Sequence, residues 1–426
     1  MNKPTKNIIL ILLIIAILLA AGLFYFWNKY IKNATPPQTT ENPSDFPFGS
    51  GSGKDTQFPS SASNRSEQGS IGDEAEMPIL RQISDKPIAG GIAFDNGSAT
   101  VIRYVERGTG HIVETASDSF ESNKVSNTTI PKVPQAIWTP NGQSVIMRYL
   151  KDGAESIYSF SANIVKATTT QDVSKNPKSA FLPLNITQLS INPSGDKIFY
   201  LTKDEGGSIG VVSSTDGSKK SQSFQFAITE WLASWPNKDI IVLATKPSSV
   251  ATGYLFFLNE KTGGNDKILS GINGLTALVS STTKNILYSE SADGSIKLNY
   301  YNLKNNQNRT LSFKTLPEKC AWSKIEELTI YCAVPRTIED GEYPDIWYQG
   351  VVSFNDNIWK IDLKTSSSEL VYNLQKESGK EFDLMNPFLS GDDEYLFFTN
   401  KKDLTFWSLS LKKQLINKTE EGGSFR

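Results

Sequence analysis

The sequence predicts an all-β protein: a β-propeller of about seven four-stranded blades, preceded by one transmembrane helix and a disordered linker. Three observations predict it. Short apolar runs have the length of strands, turn signals recur mostly every 42 to 53 residues, and no sustained helical periodicity follows residue 85. With 43 basic against 45 acidic residues and no basic stripe, we expect no binding of nucleic acid.

Residues 1–32 are predicted to form a membrane anchor. The run from Ile8 to Trp27 carries no charge over 20 residues, enough to cross about 30 Å of hydrocarbon as a helix. A cleavable signal peptide is the alternative, although its apolar region is usually only ~7–15 residues long. The very short leading segment favours an N-terminus inside the cell and a chain that continues on the extracytoplasmic side.

Residues 33–84 are predicted to be a disordered linker, because Pro, Ser, Gly and Thr dominate and aliphatic residues are scarce. The stretch "GSGSGKDT" within it lacks the glycine spacing and the hydroxyl residue after Lys54 that a phosphate-binding loop needs. Residues 417–426 are expected to be a flexible tail. The propeller is therefore assigned to residues 85–416.

The repeat is clearest in "AIWTPNGQSVIMRYL" (136–150) and "LSINPSGDKIFYLT" (189–202), each a strand, a turn and a second strand. Comparable turns lie near positions 97, 142, 195, 237, 283, 325 and 391. Most copies continue into a third strand and often a fourth, and four antiparallel strands per ~45 residues are typical of a propeller blade. Seven turns predict seven blades, while weak first and last copies leave six or eight open.

These units resemble the TolB-like and WD40-like (PD40-type) propeller repeat, on the strength of "WTPNG" at 138–142 and "INPSG" at 191–195. The resemblance implies the fold but not the function, because such propellers serve as scaffolds, sensors and enzyme appendages. Pro and Gly in these motifs shape the hairpin turn. We expect Trp138 and Trp322 to wedge between neighbouring sheets.

The only two cysteines, Cys320 and Cys332, lie on either side of the sixth turn. A hairpin centred near Glu326 places them directly opposite each other, and it pairs Trp322 with Ile330. Opposed positions have Cα separations of ~4.5–5.5 Å, which a disulfide tolerates. A disulfide is the favoured reading and requires an oxidising compartment. Two reduced buried thiols are the main alternative, and a metal or redox pair is a lesser one.

Catalytic signals are weak, and we expect no enzyme, no catalytic residue, no metal and no cofactor. His111 is the single histidine, and "RGTGHIVE" reads as a turn before a strand rather than as part of a catalytic triad. Paired carboxylates could support glycoside hydrolysis, which is the alternative function. The acidic residues fall mostly in outer turns, where they are usually solvated.

One insertion, "VPRTIEDGEYPDIWYQGVVSFNDN" (334–357), interrupts the sixth repeat. Acidic groups beside aromatic rings on a long loop suggest a recognition surface for a peptide, a glycan or a cation. The candidate residues are Glu339, Asp340, Glu342, Tyr343, Asp345, Trp347 and Tyr348. The favoured alternative is a lid that buries its own rings against the sheet.

Together these patterns predict a bacterial single-pass protein of the cell membrane, with its propeller on the extracytoplasmic side. Its expected role is that of a non-catalytic scaffold that binds another envelope protein, a peptide or a glycan.

Overall fold

The computed structural model describes residues 77–126, 128–151, 153, 155–164 and 179–412. They form seven four-stranded antiparallel sheets, so the prediction of an all-β propeller with seven blades is confirmed. Every one of the seven predicted turns joins the first and second strands of a blade.

The first four blades follow one another along the chain, each with its strands in sequence order from the central channel outwards. Blade 1 contains β2 (Ile88–Asp95), β3 (Thr100–Glu106), β4 (Ile112–Ala116) and β5 (Ser122–Ser126). Blade 2 contains β6 (Gln135–Trp138), β7 (Ser144–Leu150), β8 (Ile157–Asn163) and β9 (Ala180–Phe181). Blade 3 contains β10 (Gln188–Ile191), β11 (Lys197–Asp204), β12 (Gly207–Ser214) and β13 (Ser221–Phe226). Blade 4 contains β14 (Trp231–Ser234), β15 (Ile240–Thr245), β16 (Thr252–Asn259) and β17 (Asn265–Asn273).

The remaining blades include three short helical segments. Blade 5 contains β18 (Ala277–Val279), β19 (Asn285–Ala292), β20 (Ser295–Asn302) and β21 (Gln307–Thr310), followed by a 3-10 turn at Pro317–Lys319. Blade 6 contains β22 (Cys320–Trp322), β23 (Thr329–Pro335), β24 (Asp356–Asp362) and β25 (Ser367–Tyr372), with helix α1 (Asp345–Tyr348) between β23 and β24. Helix α2 (Leu374–Ser378) precedes blade 7, which contains β26 (Leu384–Leu389), β27 (Tyr395–Asn400) and β28 (Phe406–Ser410).

The ring closes through the first strand that the structure describes. Strand β1 (Leu80–Ser84) is the outermost strand of blade 7 and pairs antiparallel with β28, with Leu80 opposite Leu409. Arg81 on this strand donates to the carbonyls of Ala116 at 2.9 Å and Ser119 at 2.6 Å in blade 1. The propeller therefore begins at Leu80, inside the segment that the sequence predicts as linker. The sequence does not predict this strand, because its partner lies more than 300 residues away and no turn joins the two.

The core lies between the blades, where apolar side chains of adjacent sheets interdigitate. Trp138 of blade 2 donates its indole N–H to the Gly90 carbonyl of blade 1 at 3.1 Å, and Trp322 of blade 6 donates to Leu278 of blade 5 at 3.3 Å. Both rings sit between neighbouring sheets, as expected. The N–H of each indole is therefore hydrogen-bonded, while apolar surface of the ring is buried away from water.

The glycine of the "WTPNG" motif is required at its position. Gly142 has a φ of +67°, which L side chains rarely adopt, and a Cβ there would lie 2.1 Å from the Phe94 ring of blade 1. The absence of a side chain at Gly142 thus lets the Phe94 ring of blade 1 pack directly against the turn of blade 2.

The register predicted for the cysteine hairpin is confirmed. Cys320 pairs with Cys332 and Trp322 with Ile330 across β22 and β23. The two sulfurs form a disulfide, and both cysteines are buried among residues of blades 5 and 6. The bond therefore links the innermost strand of blade 6 to its second strand.

The predicted anchor at residues 1–32, most of the predicted linker and the tail at 417–426 lie outside the described residues. Within the part of the chain that the structure describes, no helix is both long and apolar enough to cross a membrane.

Candidate functional site

The insertion of blade 6 comprises residues 336–355, between the end of β23 and the start of β24. Because strands alternate in direction, the connection between the second and third strands lies at the same end of a blade as the connection that enters its first strand. The insertion consequently covers the end of the propeller at which the chain passes from blade to blade. We call this end the insertion face.

Most of the insertion's aromatic rings point inward. Tyr343, Trp347 and Phe354 are buried in one cluster with Leu316 and Ile296. The Tyr343 and Phe354 rings stack at a centroid distance of 5.8 Å. Tyr343 and Trp347 therefore pack in the core and are not available as surface contacts. Their prediction as recognition residues is corrected accordingly. The alternative prediction, a lid that buries its own rings against the sheet, describes these two residues correctly. The buried rings hold the long loop on the propeller.

Beneath these rings lies a buried ion cluster that the sequence gives no sign of. The Lys319 ammonium lies 2.8 Å from Asp356 Oδ2 and 2.6 Å from Asp383 Oδ1, and all three side chains are fully buried. Lys319 also donates to the Leu384 carbonyl at 2.9 Å. The three residues come from the entry to blade 6, the start of its third strand and the entry to blade 7.

Asp383 holds the insertion in place. Its carboxylate accepts the Trp347 indole N–H at 3.0 Å, the Ser353 hydroxyl at 3.1 Å and the Phe354 backbone N–H at 3.0 Å. Hydrogen bonds to a charged acceptor contribute about 1.5–3 kcal/mol each. The Lys319 ammonium lies 5.3 Å from the Trp347 ring centroid, so the ring also contacts the cation over its face.

The cluster carries one positive and up to two negative charges away from water. Burial raises the pKa of Asp356 to about 6, an effect that the nearby Lys319 ammonium opposes. Asp356 Oδ2 accepts the Leu384 backbone N–H at 2.7 Å, whereas Asp356 Oδ1 has no hydrogen-bond donor among the described residues. Burial thus favours the protonated form of Asp356.

Further contacts fix the insertion to other blades. Asp345 accepts the Ser249 backbone N–H of blade 4 at 2.6 Å, and the Gly341 N–H donates to the Gly294 carbonyl of blade 5 at 2.7 Å. The Tyr348 hydroxyl donates to Glu318 at the entry to blade 6. The insertion therefore bonds to groups of blades 4, 5, 6 and 7, and its outer surface is held in one position.

The outer surface of the insertion carries exposed apolar side chains and exposed acidic ones. Tyr348 is 44% exposed and Val351 70% exposed, both within one turn of α1. Val250 is 78% exposed and follows Ser249, which bonds to the first residue of α1. We call Val250, Tyr348 and Val351 the insertion surface. Glu339, Asp340 and Glu342 of the same insertion are also exposed.

Four of the seven predicted recognition residues are exposed, namely Glu339, Asp340, Glu342 and Tyr348. Of these, Tyr348 belongs to the insertion surface. Asp345 is half-buried and serves as an anchor. Sequence reasoning missed Val250 and Val351, since an isolated valine in a turn or after a helix gives no signal of its own.

The two carboxyls of the buried ion cluster bear on the alternative function of glycoside hydrolysis. Asp356 and Asp383 are brought together by Lys319, but both are fully buried beneath Trp347 and Phe354. Hydrolysis needs two carboxyls that reach the glycosidic bond. Among the described residues, no three His, Cys, Asp or Glu side chains are grouped so that they could hold a metal ion. His111 lies before β4 and contacts the Thr129 hydroxyl at 3.1 Å.

Comparison with known proteins bears on the fold. No protein-family model matches the sequence, and no curated protein is detectably similar to it. Similar solved structures include TolB from Acinetobacter baumannii, with 10% identity, a TM-score of 0.41 and coverage of 74% of this chain and 64% of that chain. An oligogalacturonate lyase in complex with manganese has 11% identity, a TM-score of 0.47 and coverage of 79% and 99%. A prolyl endopeptidase structure has 7% identity, a TM-score of 0.50 and coverage of 77% and 48%.

This chain spans less than two thirds of the TolB chain and about half of the endopeptidase chain. At such low identities the likeness concerns the fold alone, and these neighbours include enzymes of two kinds. What the chain shares with them is the β-propeller, a fold that by itself assigns no activity.

Proposed function

We propose that this protein is a membrane-anchored, extracytoplasmic propeller that binds another protein of the cell envelope without catalysing a reaction. The observation that carries the proposal is the insertion surface, where exposed apolar side chains lie on a loop that buried contacts hold still. Exposed aromatic and aliphatic side chains within a polar rim are typical of binding surfaces. A fixed loop also loses little conformational entropy when a partner binds.

The exposed acids of the insertion indicate the chemistry of the partner. Glu339, Asp340 and Glu342 add negative charge to the insertion, so we expect a protein that presents an apolar contact together with basic side chains. The placement outside the cell rests on the uncharged run from Ile8 to Trp27 and on the disulfide, which persists in oxidising compartments.

The test places a photo-crosslinking amino acid at position 348 of the full-length chain in native membranes. We expect a crosslinked protein adduct, and we expect Val351→Asp or Val250→Asp to reduce its yield about ten-fold, because a buried valine contact contributes about 1.5 kcal/mol. Ile325→Asp is the matched control: Ile325 is 66% exposed and lies at the opposite end of blade 6. Equal yields from all three variants would refute a binding role for the insertion surface.

The placement of the propeller has its own test. In intact cells, a thiol reagent added after denaturation in acid would leave Cys320 and Cys332 unlabelled if they are oxidised in the cell. Full labelling without prior reduction would argue against the extracytoplasmic side.

A further inference from the structure

A cleft lies between blades 5 and 6, beside the first residues of the insertion. Its volume is about 540 Å³, within the range of small-ligand pockets. Its walls include Phe313 and Lys314 from the connection between the two blades, and Arg336 at the first position of the insertion. It contains none of the residues of the insertion surface.

The register of blade 6 explains the floor of the cleft. Cys332 is directly opposite Trp359, and Val334 is directly opposite Asn357, so these four side chains lie on one face of the sheet. Cys332 packs in a cluster with Leu298 of blade 5, so this face is the one turned towards blade 5. Trp359, Val334 and Asn357 thus form the floor where the two blades diverge.

The apolar part of the cleft is a pair of tilted rings. The centroids of Phe313 and Trp359 lie 5.3 Å apart, with an angle of 56° between the ring planes. Two rings in contact at this angle form a shallow apolar notch against which a side chain can pack, whereas stacking of a sugar needs one open, flat face. The notch therefore favours a peptide over an oligosaccharide.

The polar part of the cleft lacks partners of its own. Asn357 lies in the floor, and its Oδ1 is buried with no hydrogen-bond donor among the described residues. Lys314 is exposed and forms no ion pair with any residue that the structure describes. Arg336 donates to the neutral amide of Gln375, while the carboxylate of nearby Glu381 pairs with Lys402 at 2.7 Å.

We propose that this cleft binds an acidic peptide segment that carries an aromatic or aliphatic side chain. The apolar side chain packs against the rings of Phe313 and Trp359, above the floor that Asn357 helps to form. Carboxylates of the peptide lie near Lys314 and Arg336, whose charges no described carboxylate neutralises directly. This site is separate from the insertion surface and would serve a different ligand.

The test measures binding of a capped peptide of alternating Glu and Phe to the full-length chain, through the change in tryptophan fluorescence. We expect Lys314→Gln to weaken binding about two- to five-fold, the worth of one exposed charge contact. Asn357→Asp should weaken it further, because it adds a negative charge to the floor without a change in shape. Trp359→Phe should remove most of the fluorescence change. Lys304→Gln, an exposed lysine at the other end of blade 5, should leave the affinity unchanged.

Two comparisons separate this proposal from its competitors. A Gln and Phe peptide of the same length should bind less tightly, and an oligogalacturonate should not displace the acidic peptide. Equal affinities for the two peptides, equal affinities of the Lys314 and Lys304 variants, or displacement by the sugar would overturn the proposal. Val351→Asp should leave peptide binding intact, so failure of the insertion surface and failure of the cleft are distinguishable.

Discussion

Replacement of Lys319 by methionine tests whether the buried ion cluster holds the insertion on the propeller. Methionine has nearly the same length but no charge, so Asp356 and Asp383 would remain buried without their cation. In the native protein the ammonium lies 2.8 Å and 2.6 Å from these carboxylates and 2.9 Å from the Leu384 carbonyl. Removal of one partner of a buried ion pair costs about 3–5 kcal/mol, because the remaining charge stays desolvated.

The assay is urea unfolding at pH 7, followed by circular dichroism and tryptophan fluorescence. We expect the free energy of unfolding of Lys319→Met to fall by about 3–5 kcal/mol, and the insertion to become sensitive to protease before the propeller unfolds. Lys304→Met, an exposed control, should remain within about 0.5 kcal/mol of the parent protein.

A triple variant gives the sharper comparison. Lys319→Met combined with Asp356→Asn and Asp383→Asn removes all three charges, so no uncompensated ion stays in the core. We expect it to recover much of the stability that the single variant loses, since replacement of a whole buried ion cluster is often neutral. A loss below 1 kcal/mol in the single variant, or a triple variant that is less stable still, would refute the reasoning.

Three further predictions concern the rest of the fold. Reduction of the Cys320–Cys332 disulfide should lower the free energy of unfolding by up to about 3 kcal/mol, seen as a lower urea midpoint in reductant. Burial raises the folded-state pKa values of Asp356 and Glu318 to about 6, so their contribution to stability is full below about pH 4 and is lost as pH rises through about 6. Stability relative to Asp356→Asn should accordingly fall between pH 5 and pH 7, and a rise would contradict the raised pKa. Arg81→Ala should cost about 1.5–3 kcal/mol, because it removes charged hydrogen bonds between the closing strand and blade 1.

The position of Glu318 couples the insertion surface to the same pH range. Glu318 accepts from the Thr276 hydroxyl at 2.8 Å and from the Tyr348 hydroxyl, which belongs to the insertion surface. A partner that binds over Tyr348 would further desolvate this carboxyl. Under the proposed function, binding should therefore favour its protonated form and strengthen as pH falls from 7 towards 5.

Local sequence determines the hairpins. Turn residues and alternating apolar runs specify each strand pair over fewer than 20 residues, so all seven turns and the register of Cys320 and Cys332 follow from the sequence. The sequence also identifies the insertion, because a gap of 66 residues interrupts a repeat of about 45.

Contacts between distant positions are decided only by the tertiary structure. The closing strand β1 meets a partner at the other end of the chain, and Lys319, Asp356 and Asp383 converge from three separate segments. No local pattern marks such encounters, because each residue's burial depends on how the ring closes and where the insertion folds back. The way in which the insertion folds back also decides that Trp347 is a core residue, although the sequence suggests a surface contact. Tyr348, its neighbour in the chain, stays exposed.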